Sequence, residues 1–377
     1  MKESELLALI ALSCLPDIGP HKVKTLISHL QRPSKAFELP KGKLLKIPGF
    51  GDKTVDAILN GKEKLKTAED IIAQNKALGI ETITYLSDAY PTRLQDIKDA
   101  PLVLHYQGTA SLNHTKTIAI VGTRKATTYG LDITKQLVKD LVPYDCQIIS
   151  GLAYGIDIAA HKAALDNDLS TIAVMANGMD HIYPKQHLHI AQQMKNNGGL
   201  LTENKLGTTP DAPLFPARNR IIAGMADATI VVEATKKGGA SITAEIANSY
   251  FRDVFAVPGS IYSRSSEGCN HLIKSNKAQL FTTIKDLEFF LNWKKDSKED
   301  KAKSLKQLID TSQLSEEGKK IVDCLQEKPI TIDELSWQSS IPINQLAGHL
   351  LTLEFQDIVL QLPGKLFKLR GVSSIEY

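Results

Sequence analysis

The sequence predicts an α/β protein centred on a doubly wound, mostly parallel sheet, and three observations carry that expectation. Short apolar runs rich in β-branched residues recur through the middle of the chain, stretches of helical length separate them, and glycine-rich turns follow them. The runs are 117–121 (TIAIV), 147–149 (QII), 171–175 (TIAVM), 228–232 (ATIVV) and 254–257 (VFAV). They are too apolar for strands with one solvated face, which is the pattern of parallel strands covered on both sides. Helical stretches at 131–141, 157–165, 188–195 and 242–251 alternate with them. Such alternation gives a Rossmann-like sheet with right-handed crossovers and a site at the carboxyl ends of its strands.

The 377 residues leave room for two or three domains. Their 45 Lys and Arg against 42 Asp and Glu exclude a protein that holds nucleic acid by bulk charge, and equally an acidic disordered chain. The charge is unevenly spread: +5 over 1–66, −1 over 67–291, +3 over 292–306 and −4 over 307–377. The expected organisation is a helical helix-hairpin-helix-like (SAM-like) domain at 1–70, the Rossmann-like domain at 71–291, a charged linker at 292–310 and a winged-helix domain at 311–377. No apolar run is long enough to span a bilayer, and the first residues carry acids where a signal peptide carries bases, so a cytoplasmic protein is expected. Cys14, Cys146, Cys269 and Cys324 are far apart and read as reduced thiols.

Both terminal regions have a pattern. Leu15-Pro16-Asp17-Ile18-Gly19 and Ile47-Pro48-Gly49-Phe50-Gly51 each lead into an amphipathic run, as in the helix-hairpin-helix motif, where the second helix offers unpaired N–H groups to a phosphate. Lys22, Lys24, Lys43, Lys46 and Lys53 lie nearby, and a helical domain that only packs or associates has the same shape. At the other end, three helical stretches and a strand pair turning at Pro363-Gly364 read as a winged helix. Its presumed recognition helix, about 343–354, offers Asn344, Gln345 and His349 but no cation, which favours protein contact over duplex reading.

The unusual residues fall at the predicted strand ends. Gly122-Thr123-Arg124 follows the first run without the G-x-G-x-x-G spacing of a dinucleotide fingerprint, so a nicotinamide or flavin enzyme is disfavoured. A close-approach glycine, a hydroxyl, a guanidinium and an oncoming helix suit a phosphate. Further turns lie at 150–157, where Asp157 is a candidate helix cap, and at 177–185. Arg218-Asn219-Arg220 and the Lys236–Thr243 turn follow in sequence. Their convergence on one sheet edge predicts an anion groove. His181, His187 and His189 lack a zinc spacing, no hydrolytic nucleophile pattern is present, and Glu233 and Glu245 are the carboxylates open to a catalytic role.

The strings VGTRKATTYG (121–130), SGLAYGIDIAAHKAAL (150–165), NGMDHIYP (177–184), FPARNRIIAG (215–224), VVEATKKGGASITAEIA (231–247) and FAVPGS (255–260) closely resemble, in order, the motifs of the DprA (Smf) family of bacterial DNA-processing proteins. The resemblance implies a single-stranded DNA-binding protein. It would protect incoming strands in natural transformation and load RecA recombinase onto them. It implies no catalysis and no cofactor, and a homodimer formed through the Rossmann-like domain. Carried over by position, Gly122, Thr123 and Arg124 match the family's phosphate-binding motif and Lys185 its basic groove residue. Arg218, Asn219 and Arg220 match its R-N-R element, and Gly238, Gly239, Ser241 and Thr243 its glycine-rich turn. Tyr154, Tyr183 and Phe215 are candidates to stack on bases. The chain departs from the family at 272–278 (LIKSNKA), where a Gly-Ala pair is usual. The alternative is a Rossmann-like nucleotide hydrolase of the phosphoribohydrolase type, which also places a glycine-rich turn and a Thr before a Glu, as in Gly238 to Glu245.

Overall fold

The structure, a computed structural model, describes residues 2–16, 18–295, 314–325, 330–355, 358–362 and 366–369. It divides into two compact units, Met1–Lys295 and Asp296–Tyr377.

The first unit opens with helices α1 (Glu3–Ser13), α2 (Pro20–Leu30), α3 (Lys35–Glu38), α4 (Lys41–Leu44), α5 (Asp52–Leu59) and α6 (Lys64–Ala77). They close around their own apolar cluster, with Leu9, Leu12, Val23, Leu26, Val55 and Ile58 at its centre and Leu102 and Val103 joining from beyond it. Gly19 and Gly51 cap α2 and α5 in extended conformations, so both glycine turns do lead into helices. The lysines there are partly engaged. Lys24 Nζ donates to the Ile97 carbonyl at 3.2 Å and lies 5.7 Å from the Tyr85 ring centroid, and burial lowers its pKa. Lys22 Nζ donates to Thr54 Oγ1 at 3.1 Å. Asp52 fills the first turn of α5 and pairs with Lys41, so a carboxylate already answers the positive end of that helix. Lys43, Lys46 and Lys53 are exposed.

Nine strands follow: β1 (Glu81–Thr84), β2 (Val103–Gly108), β3 (Thr117–Val121), β4 (Gln147–Ser150), β5 (Thr171–Val174), β6 (Gly198–Thr202), β7 (Ala228–Val231), β8 (Asp253–Ala256) and β9 (Gln279–Leu280). Between and after them run α7 (Thr92–Gln95), α8 (Thr128–Leu141), α9 (Ile156–Asp166), α10 (Leu188–Met194), α11 (Leu214–Met225), α12 (Gly239–Ser249), α13 (Glu267–Lys274) and α14 (Ile284–Leu291). The sheet order is β1-β2-β6-β5-β4-β3-β7-β8-β9. All neighbours from β6 to β9 pair in parallel, whereas β1 with β2 and β2 with β6 are antiparallel. Along β3 the side chains alternate: Ile118 and Ile120 join Leu137, Val138 and Ala160 on one face, while Ala119 and Val121 join Ile222, Ala244 and Leu272 on the other. Two helical layers therefore cover the sheet.

The chain leaves β3 toward β4 on one side and returns through α11 to β7 on the other, so β3 and β7 flank the topological switch point. At the foot of the same pair, Asp227 ties the chain together. Its carboxylate accepts from Arg93 Nε at 2.7 Å, Arg93 Nη2 at 3.0 Å and the Thr117 N–H at 2.8 Å. Beyond α13, in the 272–278 stretch, Asn276 takes the left-handed backbone (φ 53°), which asparagine tolerates better than most residues.

The second unit is a winged helix. Its helices are α15 (Glu316–Cys324), α16 (Ile332–Ser339) and α17 (Ile343–Phe355), and its antiparallel sheet has the order β10 (Ile330–Thr331), β12 (Leu366–Leu369), β11 (Val359–Leu362). Ile321, Leu335, Leu346, Leu350 and Phe367 form its core. Asn344 and Gln345 are exposed on α17. From residue 296, the charged segment expected at 292–310 lies outside the described residues.

Two histidines are buried in neutral form in the first unit. His105 Nδ1 accepts from Asn75 Nδ2 at 2.8 Å, and burial pushes its pKa down to about 4. His161 lies 2.7 Å from Thr171 Oγ1, whose own proton goes to the Ile148 carbonyl, so the His161 Nδ1–H donates and its partnerless Nε2 is the bare nitrogen. Burial pushes its pKa down to about 3. Unfolded histidines bind protons below about pH 6.5 that these two refuse, so stability is full above that pH and falls as pH drops toward 4. Each histidine adds a slope of up to roughly 1.4 kcal/mol per pH unit. Urea unfolding between pH 7 and 5 should show this slope, and His105→Gln should reduce it by about half, leaving the part due to His161.

Candidate nucleic-acid interface

The carboxyl ends of β3, β4 and β7 and the first turns of α11 and α12 enclose a groove of about 310 Å³ at the switch point. Gly122, Thr123, Arg124, Asp157, Phe215, Arg218, Asn219, Gly238, Gly239 and Thr243 are in its lining. Arg124, Phe215 and Arg218 also border an adjoining recess with Tyr154 and Tyr183, and Tyr183 in turn borders a third hollow that contains Lys185. Shared residues thus link the three.

The turn after β3 is built on close approach. A Cβ on Gly122 would lie 2.3 Å from Ile156 Cγ1, and one on Gly155 would lie 2.1 Å from the Thr123 carbonyl oxygen. Gly155 also has φ 76°, in the region that favours glycine, and it caps α9. Thr123 is held on both sides: its N–H donates to the Glu233 carbonyl at 2.7 Å, and its hydroxyl accepts from the Lys125 N–H at 3.2 Å. Glu233, just past β7 and 2% exposed, accepts the Thr127 N–H at 2.9 Å and the Thr127 hydroxyl at 2.6 Å. Its strand-end position beside cations was the available sequence signal for this clamp.

Three arginines expected in the groove have different surroundings. Arg124 is exposed, and its guanidinium lies 5.1 Å from the Phe215 ring centroid, in the range of a cation–π contact. Phe215 is in turn 5.9 Å from the Tyr183 ring. Arg218 is 5% exposed. It donates to the Gly151 carbonyl at 2.6 Å, to the Val174 carbonyl and to Asn219 Oδ1 at 3.1 Å, and so fastens α11 to the ends of β4 and β5. Asp157 does not cap α9 with its side chain; its buried carboxylate faces Arg218, and the backbone of Ala153 and Gly151 favours its charged form. Burial raises the Asp157 pKa and lowers that of Arg218, and in each case the opposite charge counters it. Arg220 is outside the lining, paired with Glu203 and donating to the Asp99 carbonyl at 2.5 Å.

The glycine-rich turn places the start of α12 against the groove through Gly238, Gly239, Ala240 and Thr243. The first N–H groups of a helix lack intrahelical partners and, with the helix dipole, favour an anion. Thr243 Oγ1 donates to the Gly239 carbonyl at 3.0 Å, and Ser241, outside the lining, donates to the Thr235 carbonyl at 2.9 Å, so both hydroxyls brace the turn. Lys185 is exposed with no ion pair among the described residues. Among the described residues no three His, Cys, Asp or Glu side chains gather as a metal site, and no helix is long and apolar enough to cross a membrane.

A doubly wound sheet with an arginine-lined groove at its switch point, followed by a winged helix, defines the class. The family model for DNA recombination-mediator protein A matches residues 81–292, and that for the DprA winged helix domain matches 310–365. Protein Smf of Synechocystis is 30% identical over 98% of this chain and 100% of its own. The X-ray structure of DNA processing protein A from Streptococcus pneumoniae has a TM-score of 0.65 at 34% identity, covering 77% of this chain and 98% of that one. DNA processing protein A from Helicobacter pylori, whose structure is described for its single-stranded DNA binding mode, has a TM-score of 0.52 at 28% identity, covering 57% and 97%. The chain belongs to the DprA (Smf) family.

Removing the buried Arg218 guanidinium leaves two strand-end carbonyls and the Asp157 carboxylate without their partner. Arg218→Ala should therefore lower unfolding stability by about 3 kcal/mol, read as a fall in the thermal midpoint, whereas Arg124→Ala should leave it within about 0.5 kcal/mol.

Proposed function

We propose that this chain binds single-stranded DNA in the switch-point groove, without reading its sequence, and works in natural transformation and recombination. It protects incoming strands and loads RecA recombinase onto them as a homodimer formed through the Rossmann-like domain, as its family membership implies. The observation that carries the groove assignment is Arg124: an exposed guanidinium laid on the Phe215 ring, beside the start of α12 and the Gly122–Thr123 turn. A cation for the phosphate and rings for the base suit a strand whose bases are unpaired.

The remaining residues divide by their surroundings. Gly122, Thr123, Arg124, Asn219, Gly238, Gly239 and Lys185 meet the strand in this proposal, whereas Arg218 and Thr243 hold Asn219 and Gly239, Ser241 braces the turn at Thr235, and Arg220 is turned away to Glu203 and Asp99. The Helicobacter pylori relative described for single-stranded DNA binding supports the ligand class.

A nucleotide hydrolase fits the geometry less well. Glu245, the carboxylate that would follow the glycine-rich turn, is exposed, paired with Lys277 at 2.8 Å and absent from the groove lining. Glu233 is occupied by Thr127. Free base released from nucleoside monophosphates would favour the enzyme.

In a gel-shift titration with an oligonucleotide, Arg124→Ala should weaken binding about tenfold or more, and Lys185→Glu should weaken it and reduce the salt dependence. Unchanged affinity in both variants, with unaltered circular dichroism, would remove the groove assignment.

A further inference from the structure

The loop between β8 and α13, residues 257–266, holds two large apolar side chains in water: Tyr262 is 92% exposed and Ile261 79%. It is no loose tip. The Ser263 N–H donates to the Ser260 carbonyl at 3.0 Å and the Ser266 N–H to the Ser263 carbonyl at 3.0 Å. The Asn270 side chain spans Gly259, accepting its N–H at 3.2 Å and donating to its carbonyl at 2.9 Å. A loop fixed this way keeps its apolar surface exposed, and contact with a ligand recovers that cost.

The same loop is joined to the groove. The Ala234 N–H donates to the Ser265 carbonyl at 2.8 Å and the Gly268 N–H to the Ala234 carbonyl at 2.7 Å, and Ala234 and Thr235 both line the groove. On its other side the Tyr129 hydroxyl donates to the Pro258 carbonyl at 2.8 Å. Lys236 and Lys237 follow Thr235 directly, and Arg264 belongs to the loop itself. All three are exposed with no ion pair among the described residues, and the acid Glu267 begins the next helix.

We propose that this loop receives the nucleotides that leave the groove. Tyr262 stacks on an unpaired base, and Arg264 and the Lys236–Lys237 pair meet the adjacent phosphates. The inference rests on the groove reading above and extends it to strands longer than the groove holds. A duplex, with its bases already stacked, offers Tyr262 no free ring face.

The test is fluorescence anisotropy of the full chain with oligothymidylates of increasing length. Short oligomers that fill only the groove bind wild type and Tyr262→Ala alike, whereas longer ones bind Tyr262→Ala roughly tenfold more weakly. Tyr262→Phe restores the affinity, and abasic sites beyond the groove remove the wild-type advantage. If Tyr262→Ala matches wild type at every length while Arg124→Ala is weak, this inference fails and the groove stands. If Arg124→Ala also binds normally, the groove reading fails with it. A change of sedimentation mass in Tyr262→Ala without any length-dependent loss assigns the loop to self-association and overturns the inference.

Discussion

Glu233 accepts the N–H and hydroxyl of Thr127 through its carboxylate and the N–H of Thr123 through its carbonyl, and the groove depends on that clamp. The two chain segments it joins leave neighbouring parallel strands at the switch point, where the helices that follow diverge. Without the clamp, the five residues from Gly122 to Ala126 would have, among the described residues, the Thr123–Lys125 and Ile156–Thr123 hydrogen bonds to fix them. With it, Thr127 caps α8 through its side chain, Thr123 is pinned, and Arg124 is presented outward between two fixed points. A buried carboxylate would oppose the phosphate proposed to bind beside it. Here its oxygens are turned to protein donors, so the clamp fixes the loop that presents Arg124.

Charge is used locally throughout. The central region is nearly neutral, and its cations fall into those committed to the fold and those left to solvent. Arg218 closes two strand ends and Arg220 answers Glu203, while Arg124, Lys185, Lys236, Lys237 and Arg264 remain exposed. A near-zero net charge is therefore compatible with a polyanion ligand, since attraction is set by the exposed set at the strand ends. Arg93 and Asp227 perform the opposite task at the foot of the same strands, where an ion pair with part-buried partners holds α7 to the sheet.

The alternation of β-branched runs and helices made the parallel core readable, because strands covered on both faces leave a run of apolar residues with few competing patterns. The two edge strands and the internal β6 were less readable. β1 carries polar residues, β6 begins with Gly198-Gly199, and β9 is only two residues long, so none has the composition that marks a buried strand. Arg218 and Arg220 show a further limit. Two residues apart on a helix they point roughly 200° apart, so one motif sends one guanidinium to the groove wall and the other to Glu203. Which of the two faces the ligand depends on how α11 is rotated against the sheet, and that is set by packing at Ile221, Ile222 and Met225. The clamp at Glu233 and the seat of Arg124 on Phe215 join residues about ninety or more positions apart, which spacing along the chain does not reveal.

A crystal structure of the full chain with a short oligonucleotide carrying bromouracil tests the central claim most directly, because anomalous scattering locates each marked base. The account predicts a phosphate against the Gly122–Arg124 turn and the first turn of α12, with a base beside Phe215 and Tyr183. A strand found only on the N-terminal helices or on the winged helix, with the switch-point groove unoccupied, would contradict it.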